Sequence, residues 1–159
     1  MRESRVSRDT WALQLAHDTS KRSTCILRAV GCVLLDFHGC VMSTGYNGTP
    51  RGMPNCNDSI WDGFNEKSKK ACPGNPALYP EDCRAVHAEA NALLQCRDVN
   101  QIHTCYTTHR PCWHCTKLLL NTSCERVIFL NDHEDKNPEL LWTSQGREWQ
   151  QLKLTYLVN

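Results

Sequence analysis

The run Ile102-His103-Thr104-Cys105-Tyr106-Thr107-Thr108-His109-Arg110-Pro111-Cys112-Trp113-His114-Cys115-Thr116-Lys117-Leu118-Leu119-Leu120 decides the fold. Its first part, Ile102–Thr108, is β-branched and aromatic and reads as a strand. Pro111 has a fixed φ and no N–H to satisfy, so it suits the first position of a helix over Pro111–Thr122. Arg126–Leu130 then reads as a second strand. Outward from this unit the same logic gives a helix over residues 7–21 and a strand pair, Ala29–Phe37 and Cys40–Tyr46, turned at His38-Gly39. Val86–Cys96 is rich in alanine and leucine and predicts another helix. Asn137–Trp149 predicts a helix broken near Gly146, and Leu152–Val158 alternates as a last strand. Strands alternating with helices after a hairpin imply an α/β domain with a mixed sheet of about five strands, flanked by helices.

The 159 residues suit a single domain, and 40% hydrophobic with 22% charged residues is an ordinary globular composition. A net charge of +1 argues against a general polynucleotide binder, which carries a basic excess. No stretch reaches the ~20 apolar residues of a membrane span. Met1–Asp9 is polar, without the apolar core of a secretory signal. The eleven cysteines are odd in number, so they cannot all pair as disulfides. A chain able to build its own core and lacking a signal is expected in the cytoplasm with reduced thiols, and metal binding is the first functional expectation.

Two short motifs carry that chemistry, His87-Ala88-Glu89 and Pro111-Cys112-Trp113-His114-Cys115. Cys112 and Cys115 are three apart and share a helix face, so both can reach one ion. In the first turn, free N–H groups and the helix dipole favour thiolate. With His87 they make a three-ligand zinc set whose fourth tetrahedral position is open to water. Two thiolates and a neutral imidazole balance Zn²⁺, which suits a catalytic rather than a purely structural site. Glu89 is then a nearby carboxylate that does not bind metal. Positions two apart on a helix differ by about 200°, so His87 must stand at the helix start, where extended dihedrals redirect it.

Asn47–Arg84 is 38 residues of proline, glycine and charge without a period, too long for an ordinary loop. It holds Cys56, Cys72 and Cys83, and Cys25 precedes the first strand. Four cysteines fit a closed zinc site, while their irregular spacing equally fits scattered thiols. Cys32, Cys40, Cys96, Cys105 and Cys124 sit beside apolar runs and read as core residues.

H-x-E joined to P-C-x-x-C is the zinc deaminase signature. Over nearly its whole length the chain resembles the deoxycytidylate (dCMP) deaminase family of phage and bacterial type. Besides the two motifs, the resemblance rests on Arg22-Ser23-Thr24-Cys25, Val30-Gly31, Gly45-Tyr46-Asn47-Gly48-Thr49-Pro50-Arg51-Gly52, His87 to Leu94, and Tyr106 to Leu119. It implies a three-layer α/β/α cytidine deaminase-like fold, one domain over 1–159 with a metal-stapled insertion at about 48–84. The activity it implies is hydrolytic deamination of dCMP to dUMP and ammonia, with zinc at His87, Cys112 and Cys115 and Glu89 as the catalytic proton carrier. It implies a second, structural zinc at Cys25, Cys56, Cys72 and Cys83. Asn47 is the expected contact to deoxyribose and base, with Ser23, Thr24, Arg28, Arg110 and His109 as further substrate contacts. Activation by dCTP with Mg²⁺, inhibition by dTTP and a homohexamer are also implied, with the effector expected at Gly48, Thr49 and Arg51. Rival readings are a deaminase of another cytosine nucleotide, dCTP or deoxycytidine, and a non-catalytic zinc-held binding module.

Overall fold

The computed structural model describes residues 5–56 and 83–154. The first helix, α1 (Arg8–Ser20), starts at Ser7, whose hydroxyl accepts the Thr10 N–H at 3.0 Å. The hairpin of β1 (Gly31–Asp36) and β2 (Val41–Tyr46) follows. Next come α2 (Ala88–Gln95), a 3-10 turn at Val99–Gln101, β3 (Ile102–His109), α3 (Trp113–Leu120) and β4 (Arg126–Asn131). The chain continues through α4 (Asn137–Thr143) to β5 (Glu148–Gln151).

The sheet order is β2-β1-β3-β4-β5. β1 runs antiparallel to both β2 and β3, whereas β3, β4 and β5 are parallel. Residues Gly31 to Leu35 are buried without alternation, which requires cover on both faces. Val33 and Leu35 pack with Ala12, Leu13 and Ala16 of α1 and with Ile128 and Leu130. Cys32 and Leu34 face the other way, onto Ala88, Ala92, Leu119 and Trp142 from the three remaining helices. The result is the expected α/β/α sandwich. No helix among the described residues is long and apolar enough to cross a membrane.

Four local expectations need correction. Pro111 does not open α3; Cys112 is extended (φ −74°, ψ 171°) and is the N-cap, so the helix begins at Trp113. The helix expected over Asn137–Trp149 ends at Thr143, because Gly146 turns the chain at φ +71° and the Glu148 carbonyl accepts the Trp142 indole N–H at 2.9 Å. The last strand is therefore Glu148–Gln151. Leu152 and Leu154 alternate because they pack beneath α1, and residues 155–158 lie outside those described. Among the five cysteines expected in the core, Cys32, Cys105 and Cys124 are fully buried and Cys96 partly so. Cys40 is exposed, since its apolar neighbours Phe37 and Val41 lie exposed at the hairpin.

Gly45 fixes where α2 sits. A Cβ there would lie 2.2 Å from the Ala88 carbonyl oxygen and 2.3 Å from the Ala92 nitrogen. The helix backbone thus rests directly on β2. Ser43 Oγ donates to the Ala92 carbonyl at 2.8 Å, Gln95 Nε2 to Thr44 O at 3.0 Å, and Asn91 Nδ2 to Tyr46 O at 2.8 Å. Gly45→Ala is expected to destabilise the fold by about 2–3 kcal/mol, read as a lower urea midpoint at unchanged m-value.

Candidate active site

The first residues of α2 and α3 converge at one place. His87 is the N-cap of α2 with extended dihedrals (φ −69°, ψ 155°), which turns its ring off the helical path as the sequence requires. At the neighbouring helix Cys112 is the N-cap and Cys115 the third residue inside, positions that face each other across a first turn. His87 Nδ1 stands 3.4 Å from Cys112 Sγ and 3.6 Å from Cys115 Sγ. These three ligand atoms all lie within 4.8 Å of one another, the one such histidine, cysteine or carboxylate group among the described residues. Two thiols and an imidazole in this arrangement fit a zinc ion.

Electrostatics single out Cys112 as the group that loses its proton first. The hydrogen bond from Cys115, then that from His87, holds Cys112 well below the ordinary thiol range, while Cys115 keeps its proton. The bond to Cys112 raises His87 above its usual value. Neither helix N-terminus has a side-chain cap; at α3 the free Cys115 N–H acts on the Cys112 sulfur and lowers it further, whereas at α2 the Glu89 N–H acts on its own carboxylate. Glu89 is 3% exposed, and burial pushes its carboxyl up to about 7 even though it hydrogen-bonds Cys115.

These groups open on a cavity of about 480 Å³. Asn47, Arg28, His109 and Arg110 line it together with His87, Glu89 and Cys112. Asn47 is largely occupied: Oδ1 accepts from Ser23 Oγ at 2.6 Å and the Val30 N–H at 2.8 Å, and Nδ2 donates to the Arg28 carbonyl at 2.8 Å. Ser23 thereby orients Asn47 and does not line the cavity; Thr24 does not line it either and sits beside Gly48. Arg28 is exposed at the mouth. Arg110 is enclosed, with Nη1 on Asp132 at 2.8 Å and the His133 carbonyl at 3.1 Å, and Nη2 on Glu139. Its guanidinium also lies over the Phe129 and Trp149 rings.

The residues expected at the effector site are spread out. Gly48 pairs with Val86, Thr49 Oγ1 is buried without a hydrogen-bond partner, and Arg51 is exposed in a turn off the cavity. Cys25, Cys56 and Cys83 line the same cavity as the histidine–cysteine group, and Cys72 lies outside the described residues. Sequence reasoning missed His133, which lines the cavity from the loop after β4, and Glu139 and Asp132, which neutralise Arg110. No local pattern joins these positions to the motifs.

A mixed sheet between helices, with histidine and two cysteines at paired helix starts beside a buried glutamate, defines the zinc deaminase class. The chain belongs to the family described as the cytidine and deoxycytidylate deaminase zinc-binding region, which residues 6–131 match. The deoxycytidylate deaminase of Mycobacterium phage D29 is 36% identical over 129 residues, covering 79% of this chain and 96% of that protein. The Saccharomyces cerevisiae deoxycytidylate deaminase is 37% identical over 128 residues. The match spans 79% of this chain but only 38% of the yeast protein, and 37% of the Schizosaccharomyces pombe relative. In fold, the chain is similar to the dCMP deaminase of cyanophage S-TIM5, solved with dCMP and dUMP, at a TM-score of 0.70 and 22% identity, covering 94% of this chain and 100% of that one.

Replacing Arg110 with methionine tests its structural engagement. Two partly exposed carboxylates lose their shared cation, so a stability loss of about 2–3 kcal/mol is expected, measured by denaturant unfolding of the zinc-loaded protein.

Proposed function

We propose that this chain catalyses the hydrolytic deamination of dCMP to dUMP and ammonia. The observation that carries the reading is the buried Glu89 carboxyl, hydrogen-bonded to Cys115 and facing one cavity together with His87 and Cys112 of the metal-ligand group. The choice of dCMP is supported by the phage relative matched over nearly its full length. His87, Cys112 and Cys115 would hold zinc, which supplies a Lewis acid able to bring the pKa of a water close to neutrality. Glu89 takes the proton from the attacking water and passes it to cytosine N3, which makes C4 electrophilic as the water oxygen bonds to it. Glu89 next takes the proton of the hydroxyl now on C4 and delivers it to the C4 amino group, the C–N bond breaks, the C4 carbonyl forms and ammonia leaves. A carboxyl poised near 7 can act in both directions, as base and as acid. Asn47 retains one amide hydrogen for the sugar or base, and Arg28 offers a cation at the mouth for the phosphate, with His109 beside it.

A structural zinc at Cys25, Cys56, Cys72 and Cys83, stapling the insertion at about 48–84 into the single domain, belongs to the same proposal. So do activation by dCTP with Mg²⁺, inhibition by dTTP, a homohexameric assembly and a cytoplasmic setting. The bridge from Gly48 to Val86 supports an effector route, because it ends one residue before His87.

Glu89→Gln is expected to retain zinc while kcat falls by about 10³-fold or more; steady turnover near the wild-type rate would overturn the role. Metal analysis should find two zinc ions per chain and one fewer after His87→Ala. A panel of dCMP, dCTP, deoxycytidine and single-stranded oligonucleotide separates the readings, with dCMP expected to be strongly preferred. Equal rates on deoxycytidine would remove the phosphate contact, and no turnover of any would favour a binding module.

A further inference from the structure

Thr108 is 2% exposed at the end of β3, and its hydroxyl makes two contacts. The Gly31 N–H donates to Oγ1 at 3.1 Å, which uses a lone pair. The second contact, at 3.1 Å, is His109 Nδ1. A threonine hydroxyl has one hydrogen, and among the described residues His109 Nδ1 is the one acceptor within its reach. Were the ring proton on Nδ1, it would point at Oγ1 and leave the buried hydroxyl hydrogen without an acceptor, an arrangement that folded proteins avoid.

We propose that Thr108 is a positioning residue: its hydroxyl donates to His109 Nδ1 and holds the imidazole in the Nε2–H tautomer, so that Nε2–H is a fixed donor to an acceptor oxygen of the nucleotide. The surroundings favour the same neutral ring. Burial first, then the Coulombic influence of Arg28 and His133, pushes His109 down to about 4. His109 lines the cavity, and with Nδ1 engaged by Thr108, Nε2 is the ring nitrogen left for a ligand. The acceptor can be a phosphate oxygen or the cytosine carbonyl; both take a hydrogen bond from a neutral N–H. The ligand in this inference rests on the proposed deaminase reading, whereas the tautomer does not.

The test uses zinc-loaded protein labelled with ¹⁵N-histidine, with the His109 resonances identified by their loss in His109→Gln. Long-range proton–nitrogen spectra at neutral pH should show an unprotonated Nδ1 and a protonated Nε2. In Thr108→Val the ring should become a tautomer mixture and KM for dCMP should rise about tenfold, with kcat little changed. Thr108→Ser should restore both the spectrum and KM. A loss confined to dCMP identifies phosphate as the acceptor, and an equal loss with deoxycytidine identifies the base carbonyl. The proposal is overturned by an Nδ1–H or doubly protonated His109 in the wild type. It is equally overturned if Thr108→Val lowers thermal stability without moving tautomer or KM. The Nε2–H signature in a protein that turns over no cytosine nucleotide would defeat the deaminase reading and leave the tautomer standing.

Discussion

The direct seating of the α2 backbone on Gly45 is the constraint from which the site follows, because it determines where that helix begins and therefore where His87 and Glu89 stand. Three hydrogen bonds from Ser43, Asn91 and Gln95 lock the same contact. The second helix start is set independently, by the end of β3 and the extended His109-Arg110-Pro111-Cys112 connection. Both helices forgo a side-chain cap, each at a cost of about 1 kcal/mol. At α3 the uncapped Cys115 N–H then acts on the Cys112 sulfur and stabilises its thiolate, and at α2 the Glu89 N–H acts on the Glu89 carboxylate. Local helix stability is thus exchanged for electrostatics at a common point.

Burial separates the groups of this cavity by function. Glu89 and His109 are both desolvated, yet the effect has opposite meaning for each. A carboxyl is driven towards its protonated form, up to about 7, and an imidazole towards its neutral form, down to about 4. The first becomes a group that can both take and give a proton near neutrality. The second becomes a hydrogen-bond donor whose charge does not change there. Arg110 brings a third charge to the cavity wall, but Asp132 and Glu139 balance it and aromatic rings enclose it. Arg28, one of the arginines lining the cavity, is exposed at its mouth.

The sheet was legible where side chains repeat on two faces, as in β1 and β4, and the helices where small apolar residues recur, as in α2. Legibility failed at Gly146, since a single left-handed residue converts the end of an apparent helix into a turn and a strand. It also failed by one residue at Cys112, because a proline fixes its own φ but leaves the next residue free to remain extended. In the site, ligands close in sequence were readable, since spacing dictates which side chains share a helix start. His133, Asp132 and Glu139 were not, because they reach the cavity and Arg110 through the parallel pairing of β3 and β4, and no local motif encodes strand order. Cys40 failed for a related reason: apolar neighbours in a hairpin do not guarantee burial when the turn projects from the sheet.

Asn47 shows how a residue can satisfy two explanations at once. Asn-Gly is good turn chemistry and would account for its presence after β2 without any ligand. Its side chain, however, is not used as a turn side chain. The oxygen is filled by Ser23 and the Val30 N–H, and one amide hydrogen is given to the Arg28 carbonyl. An amide has four such positions, so one hydrogen remains, on a residue that is 7% exposed and lines the cavity. Three internal bonds fix the direction of the fourth more firmly than a solvated asparagine could. The same bonds tie the segment before β1 to the residue after β2, so the asparagine that lines the cavity also closes the end of the sheet beside it.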